Sequence, residues 1–217
     1  MRGAQGKMIS TNIKNASLVE KRRQQIFEAV VRLFSKKGYH RTTMREISKE
    51  SGIALGNLYD YIATKDDILY IIQEKATEAV MQAISKSKEG DRSPAERLRE
   101  LIHSELRAMD RYQDLIMIIY QESHAMAKQT LHALLRSERK HLQAYEKLLK
   151  EGMAKGVFRR SNPRMTANMI KMLIDAWVIK RWDLRKRVTL SEMEKGISDL
   201  VFQGILRSNE RDAGVRR

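Results

Sequence analysis

Thr42, Thr43, Leu55, Gly56 and Asn57 place two hydroxyls, an apolar branch, a bare backbone and a carboxamide in one short stretch of chain. Such a set suits holding a phosphate and reading a base edge rather than making or breaking bonds. Thr42 can donate to a phosphate, Leu55 can touch a thymine methyl, and Gly56 lets the backbone come close. Bond-making chemistry has no comparable set. The sequence has no Gly-rich phosphate loop, no G-x-S-x-G elbow and no H-E-x-x-H. Its histidines, His40, His103, His124, His132 and His141, are scattered. His124 and His132, eight apart, would point about 80° apart on one helix, a poor chelating pair. We therefore expect no enzyme activity, no metal and no cofactor.

Those residues need a frame, and the surrounding pattern predicts one. Ile26, Val30, Leu33 and Phe34 recur at the spacing of one helix face. Gly38 ends that helix where a left-handed backbone is needed. Thr43 and Glu46 form a T-x-x-E capping box that opens a second short helix, Met44 to Ser51. Gly52 makes a tight turn, and a third helix is predicted from near Ala54 with Asn57, Tyr59 and Tyr61 on it. Two short helices joined by a Gly-containing turn is the layout that sets a recognition helix in the DNA major groove. Leu55, Gly56 and Asn57 then occupy its first turn, the part that reaches base edges.

The run Gly52-Ile53-Ala54-Leu55-Gly56-Asn57-Leu58-Tyr59-Asp60-Tyr61, followed by Lys65-Asp66-Asp67 and Leu69, resembles the DNA-binding segment of the TetR family of bacterial repressors. That family usually reads G-V-S-x-G-T-L-Y-x-Y-F and then K-E-x-L. The likeness covers roughly the first 70 residues. Ala54 stands for the usual Ser, Asn57 for Thr and Ile62 for Phe. Asn57 keeps a hydrogen-bonding side chain and Ile62 keeps the core, whereas Ala54 lacks a hydroxyl for the helix cap or a phosphate. The resemblance implies that Tyr59 and Tyr61 hold the phosphate backbone or pack beneath it. It also implies that Lys65 binds phosphate at the start of the fourth helix. Arg45 and His40 are secondary candidates.

Composition points the same way. The 217 residues carry a formal net charge of +15, which favours a polyanionic partner. Residues 1–65 hold thirteen Lys and Arg against five Asp and Glu, a local net of +8. The chain contains no cysteine, which excludes disulfides and thiolate metal sites and suits a reducing cytoplasm. The opening MRGAQGKMISTNIKNAS has no apolar signal-peptide core. The longest apolar run, Leu115 to Tyr120, falls far short of the roughly 20 residues of a membrane span. A cytoplasmic protein is expected, with a flexible basic arm over 1–16 and a helix–turn–helix domain over 17–65. A ligand-binding and dimerisation domain is expected over 66–210, with a short tail over 211–217.

Beyond Lys65 the pattern predicts helices only, hence an all-α fold. Ser93-Pro94 and Ser161-Asn162-Pro163 open two of them, and Thr189 with Glu192 makes a second capping box. Met165 to Trp182 is apolar almost all round, so it must be covered on every side. The last helix shows a stripe of Met193, Ile197, Leu200, Val201 and Gly204. In the resembling family the two C-terminal helices pair with their mates in a four-helix dimer interface, so a homodimer is expected. Met109, Tyr112, Met117, Tyr120, Gln121 and His124, with Met169 and Trp177, are the candidate effector contacts, since methionines adapt to irregular apolar ligands. Methionine at helical spacing is equally well read as ordinary core. The segment LIMIIYQESHAM resembles the matching helix of fatty-acid-degradation regulators in this family, which sense acyl-coenzyme A. Asp175, isolated in an apolar helix, can orient a ligand or pair with Lys180, Arg181 or another basic residue at the dimer seam. The implied function is a dimeric repressor on a double-stranded, palindromic operator, released by a small apolar effector such as a long-chain acyl-coenzyme A. The alternative is a basic nucleic-acid-binding protein without ligand control.

Overall fold

A computed structural model describes residues 15–87 and 92–206, with the side chains of 79–87 left aside. Its elements are helical: α1 Ala16–Lys37, α2 Met44–Ser51, α3 Leu55–Leu58, α4 Asp66–Ser87, α5 Pro94–Arg111, α6 Gln113–Glu122, α7 Lys128–Ala154, α8 Pro163–Ile179, α9 Arg181–Leu184 and α10 Leu190–Ile205. Among the described residues the one β feature is an isolated antiparallel bridge between Phe158 and Leu206. No described helix is long and apolar enough to cross a membrane.

Local chemistry sets most of the helix starts. Thr43, Ser93 and Thr189 each accept from the backbone three residues on, and Glu46, Glu96 and Glu192 reach back in complete capping boxes. Asn162 caps α8, where Pro163 takes the first position and loses nothing by lacking an N–H. The basic arm expected over 1–16 ends sooner than that, because Asn15 already caps α1 through the Leu18 N–H. The rest of that arm and the tail over 211–217 lie outside the described residues.

Three helix ends follow, and those of α3 and α8 fall short of the sequence reading. The third helix stops at Leu58, because Asp60 N–H donates to Asn57 and Tyr61 N–H to Leu58, tightening the chain into turns. Tyr59 and Tyr61 therefore follow α3 rather than ride on it. α6 ends at Glu122, whose carbonyl accepts from both Ala125 and Met126. α8 ends at Ile179, and Trp182 sits on the separate four-residue α9.

The described chain falls into two compact units. The first holds the residues up to Glu74 together with Asp114–Leu135, and the second holds Lys75–Gln113 with Arg136 onward. The division thus runs through α4, not between 65 and 66. Polar bonds within the first unit explain it. Asp66 accepts from the Tyr39 hydroxyl at 2.7 Å and from the Ala127 N–H at 3.2 Å. Asp67 caps the start of α4 by accepting from Ala63 and Thr64, and also accepts from the Thr130 hydroxyl. His40 and Glu122 lie 2.9 Å apart. The core of this unit is fully buried at Ile26, Val30, Ile47, Leu58, Ile62 and Ile68.

In the second unit α5, α8 and α10 pack against one another. Leu98, Ile102, Tyr145, Leu149, Phe158 and Ile174 fill its interior. Phe158 lies so close to α7 that a Cβ at Gly152 would stand 2.1 Å from its ring.

Candidate nucleic-acid interface

The interface is built on α2, the Gly52 turn and α3. At the head of α2, Thr43 N–H and Oγ1 donate to Glu46 Oε2 at 2.9 and 2.8 Å, and Thr43 Oγ1 accepts from Glu46 N–H. Lys37 pairs with the same carboxylate. That ammonium, with the Thr43 hydroxyl and amide, holds the Glu46 carboxyl at about 2. Gly52 sits at φ +69 and ψ +19, the left-handed region that suits glycine. Its N–H returns to the Ser48 carbonyl, and the Ser48 hydroxyl donates to Ile53 at 2.7 Å. Leu58 and Ile53 anchor the turn in the core. Ala54 supplies no side-chain cap to α3, as its lost hydroxyl implied.

The candidates then separate. Gly56 and Asn57 are exposed, Leu55 is half-buried, and Tyr59 keeps half its surface in solvent at 50%. Thr43 is exposed beside Arg41 and Arg45, which are also exposed. Tyr61 is buried. Thr42 is buried as well, and its hydroxyl donates to the Gly38 carbonyl at 2.8 Å instead of a phosphate.

Lys65 is the clearest correction. Its Nζ donates to the carbonyls of Tyr39 at 2.8 Å and of His40 and Thr42 at 3.3 Å, and lies 4.1 Å from the centre of the Tyr39 ring. An ammonium has three N–H groups, and all three are spent on the loop before α2. Burial also pulls the Lys65 amine below the usual range. Lys65 pins that loop, and Tyr39 completes the pin: burial and the Asp66 carboxylate push its phenol far up. Tyr39 was not singled out from the sequence. Its position just after the helix-ending Gly38 was the available signal.

The candidate effector contacts are divided between the two units. Met117, half-buried, and Tyr120, Gln121 and His124, all exposed, lie in the first. Met109, Tyr112, Met169 and Trp177 lie in the second. There Met109 and Trp177 are buried, and Trp177 Nε1 donates to Asp110 at 3.0 Å while its carbonyl accepts from Gln113. Met169 belongs elsewhere. It is 60% exposed and lines an open groove of about 980 Å³ with Met165, Met172, Leu173, Leu200 and Gly204. Ala167, Ile170, Ile174 and Val178 occupy the inner face of α8 and turn Met169 outward.

A polar cluster that the sequence reading missed lies inside the second unit. Glu105 of α5, His141 and Tyr145 of α7, and Lys171 and Asp175 of α8 are all buried. Asp175 pairs with Lys171, one turn before it on α8. Lys171 is also 3.5 Å from Glu105, and the Tyr145 hydroxyl donates to Glu105. His141 Nε2 stands 3.4 Å from Glu105 Oε2, an ion-pair distance outside hydrogen-bond geometry, so that contact is Coulombic. Burial alone would raise the Glu105 carboxyl; the His141 and Lys171 charges overturn this and hold it well below the usual range. The two acids do the same for Lys171, which is raised despite its burial. The i,i+4 spacing of Lys171 and Asp175 was the visible signal.

Comparison with known proteins agrees with this architecture. Residues 26–70 match the family model described as bacterial regulatory proteins, tetR family, and residues 91–205 match the tetracyclin repressor-like C-terminal domain. The HTH-type transcriptional regulator HbdR of Aromatoleum sp. (strain CIB) is 28% identical over 194 residues, covering 89% of this chain and 85% of that one. The crystal structure of AibR in complex with isovaleryl coenzyme A and operator DNA shares the fold at TM-score 0.64 and 21% identity, covering 83% and 98% of the two chains. The fatty acid degradation regulator FadR of Bacillus halodurans does so at TM-score 0.70 and 24% identity, covering 84% and 95%. A helix–turn–helix match at one end and a repressor-like match over more than half the chain make this protein a member of the tetR family of bacterial regulatory proteins, a DNA-binding transcriptional regulator.

Proposed function

We propose that the chain is a homodimeric, cytoplasmic repressor that releases its operator when a coenzyme A thioester binds the second unit. The observation that carries the DNA half is the exposed first turn of α3, with Gly56 and Asn57 bare to solvent above a buried Leu58. Asn57 would read a base edge, Gly56 would admit the backbone, and Thr43, Tyr59 and Arg45 would hold phosphates. The α8–α10 groove supports the dimer, because Met165, Met169, Met172 and Leu200 expose an apolar face that a second copy would cover. A two-fold axis then sets two α3 helices on half-sites about 34 Å apart. AibR, which binds isovaleryl coenzyme A and operator DNA, and FadR, a fatty acid degradation regulator, support the effector class. α4 and α7 each run from one unit into the other and are covalent routes for coupling. Release requires the thioester to bind the DNA-free conformation more tightly than the DNA-bound one.

Fluorescence anisotropy with duplex DNA from upstream of the chain's own coding region, at near-physiological salt with excess non-specific competitor, tests the reading. Competitor-resistant binding is expected, weakened about ten- to a hundredfold by Asn57→Ala and abolished by long-chain acyl-coenzyme A. Specific binding indifferent to the thioester would remove the effector, and binding swept away by competitor and unaffected by Asn57→Ala would remove the repressor.

A further inference from the structure

Between α8 and α10 the chain reads Lys180-Arg181-Trp182-Asp183-Leu184-Arg185-Lys186-Arg187, five cations and one acid around an indole. Trp182 is 77% exposed, the highest value among the exposed large apolar side chains. Lys180 Nζ lies 6.0 Å from the centre of its ring. Arg185, Lys186 and Arg187 are exposed on the following turn, and Arg187 reaches Asp183 at 3.3 Å. Lys186 has φ +71, and among the described residues it is the one non-glycine with positive φ. An L residue adopts that region at a cost, and such strain concentrates where a surface is shaped for a ligand. A merely solvated charge run needs neither a bare indole nor a left-handed lysine.

We infer that Lys180–Arg187 binds the adenine-nucleotide end of a coenzyme A thioester, with Trp182 as the stacking platform and Arg185, Lys186 and Lys180 as phosphate ligands. This rests on the thioester reading above and adds the recognition of its polar end. The indole face takes any exposed purine, and flanking cations favour a phosphorylated one. Duplex DNA fits less well, because its bases are stacked inside and offer an indole no face. An acyl chain fits less well still, since this surface is basic and open.

Isothermal titration of the full-length protein with acyl-coenzyme A, coenzyme A and adenosine bisphosphate tests the assignment. Trp182→Ala is expected to weaken all three about tenfold, and Arg185→Gln with Lys186→Gln to weaken them further and flatten their salt dependence. Lys186→Gly should weaken binding while raising Tm, because it removes the strain together with the charge. A structural role alone would not produce that opposition. If acyl-coenzyme A releases DNA from wild type and variants alike, the nucleotide assignment falls and the effector reading stands. If adenosine bisphosphate binds through Trp182 but no thioester releases DNA, the surface stands and the effector reading falls. Variants that lose operator affinity with coenzyme A binding unchanged would give the surface to DNA and overturn the inference. So would a Trp182 shielded from acrylamide in the wild-type assembly, which would mean that a second copy covers it.

Discussion

Lys171→Met tests whether the buried cluster of the second unit is held by charge balance. In the native protein the Glu105 and Asp175 carboxylates are answered by the Lys171 ammonium and the His141 imidazole. Methionine keeps the length of the side chain and removes the charge, which takes from Glu105 and Asp175 the buried ammonium that lies beside both. All these groups are buried, so water cannot compensate. Removing one member of such an arrangement costs about 3–5 kcal/mol. The paired variant Lys171→Met with Asp175→Leu leaves Glu105 with His141 and Tyr145, and should recover at least about 2 kcal/mol of that loss. Urea unfolding followed by circular dichroism measures both, at one protomer concentration because association adds to apparent stability. The pH dependence has a definite sign. In the native protein the Glu105 carboxyl lies below its ordinary value, so its contribution is full above pH 4.5 and fades as pH falls. In Lys171→Met both acids lose a buried cation and are pushed upward, so protonation relieves them and the gap to wild type should narrow between pH 7 and pH 5. Losses that simply add in the paired variant, with a gap that ignores pH, would refute the charge-balance argument.

Two further outcomes are expected. Gly152→Ala puts a methyl 2.1 Å from the Phe158 ring and should cost at least about 1–3 kcal/mol in thermal unfolding, with Phe158→Leu restoring part of it. Thr43→Ala removes the cap of α2 and should cost about 1 kcal/mol. Because Thr43 and Lys37 keep the Glu46 carboxyl at about 2, the wild type should lose this local stabilisation as pH falls from 4.5 towards 2. The Thr43→Ala variant should show a shallower acid limb, and an unchanged limb would remove the capping box from the account.

What the sequence made legible was local. A cap and its reciprocating acid lie three residues apart, so Thr43 with Glu46 and Thr189 with Glu192 could be paired by spacing alone. Proline after Ser93 and Asn162 marked two more helix starts for the same reason. What was not legible was set by residues distant along the chain. The cation of Lys65 is used by carbonyls 23 to 26 residues away, and no local pattern announces a side chain turned inward. Glu105, His141 and Lys171 come from three helices, and each alone reads as an ordinary charged or polar position. Met169 shows a third kind of miss. Periodicity reveals that α8 is apolar on two sides, but only packing shows that its inner side is filled by its own unit and its outer side is left open.

The first unit takes Asp114–Leu135 from far along the chain, and this orders events at synthesis. When Asp66 and Asp67 leave the ribosome, Ala127 and Thr130, which donate to them, have not been made. The DNA-reading half therefore cannot close its polar bonds as a nascent fragment and must wait until the chain has grown past Leu135. Truncation just beyond α4 would take the Ala127 and Thr130 donors away from Asp66 and Asp67, so the recognition helix is not a module that can be cut free and grafted with its bonds complete. Its completion is tied to synthesis of the segment that carries Ala127 and Thr130.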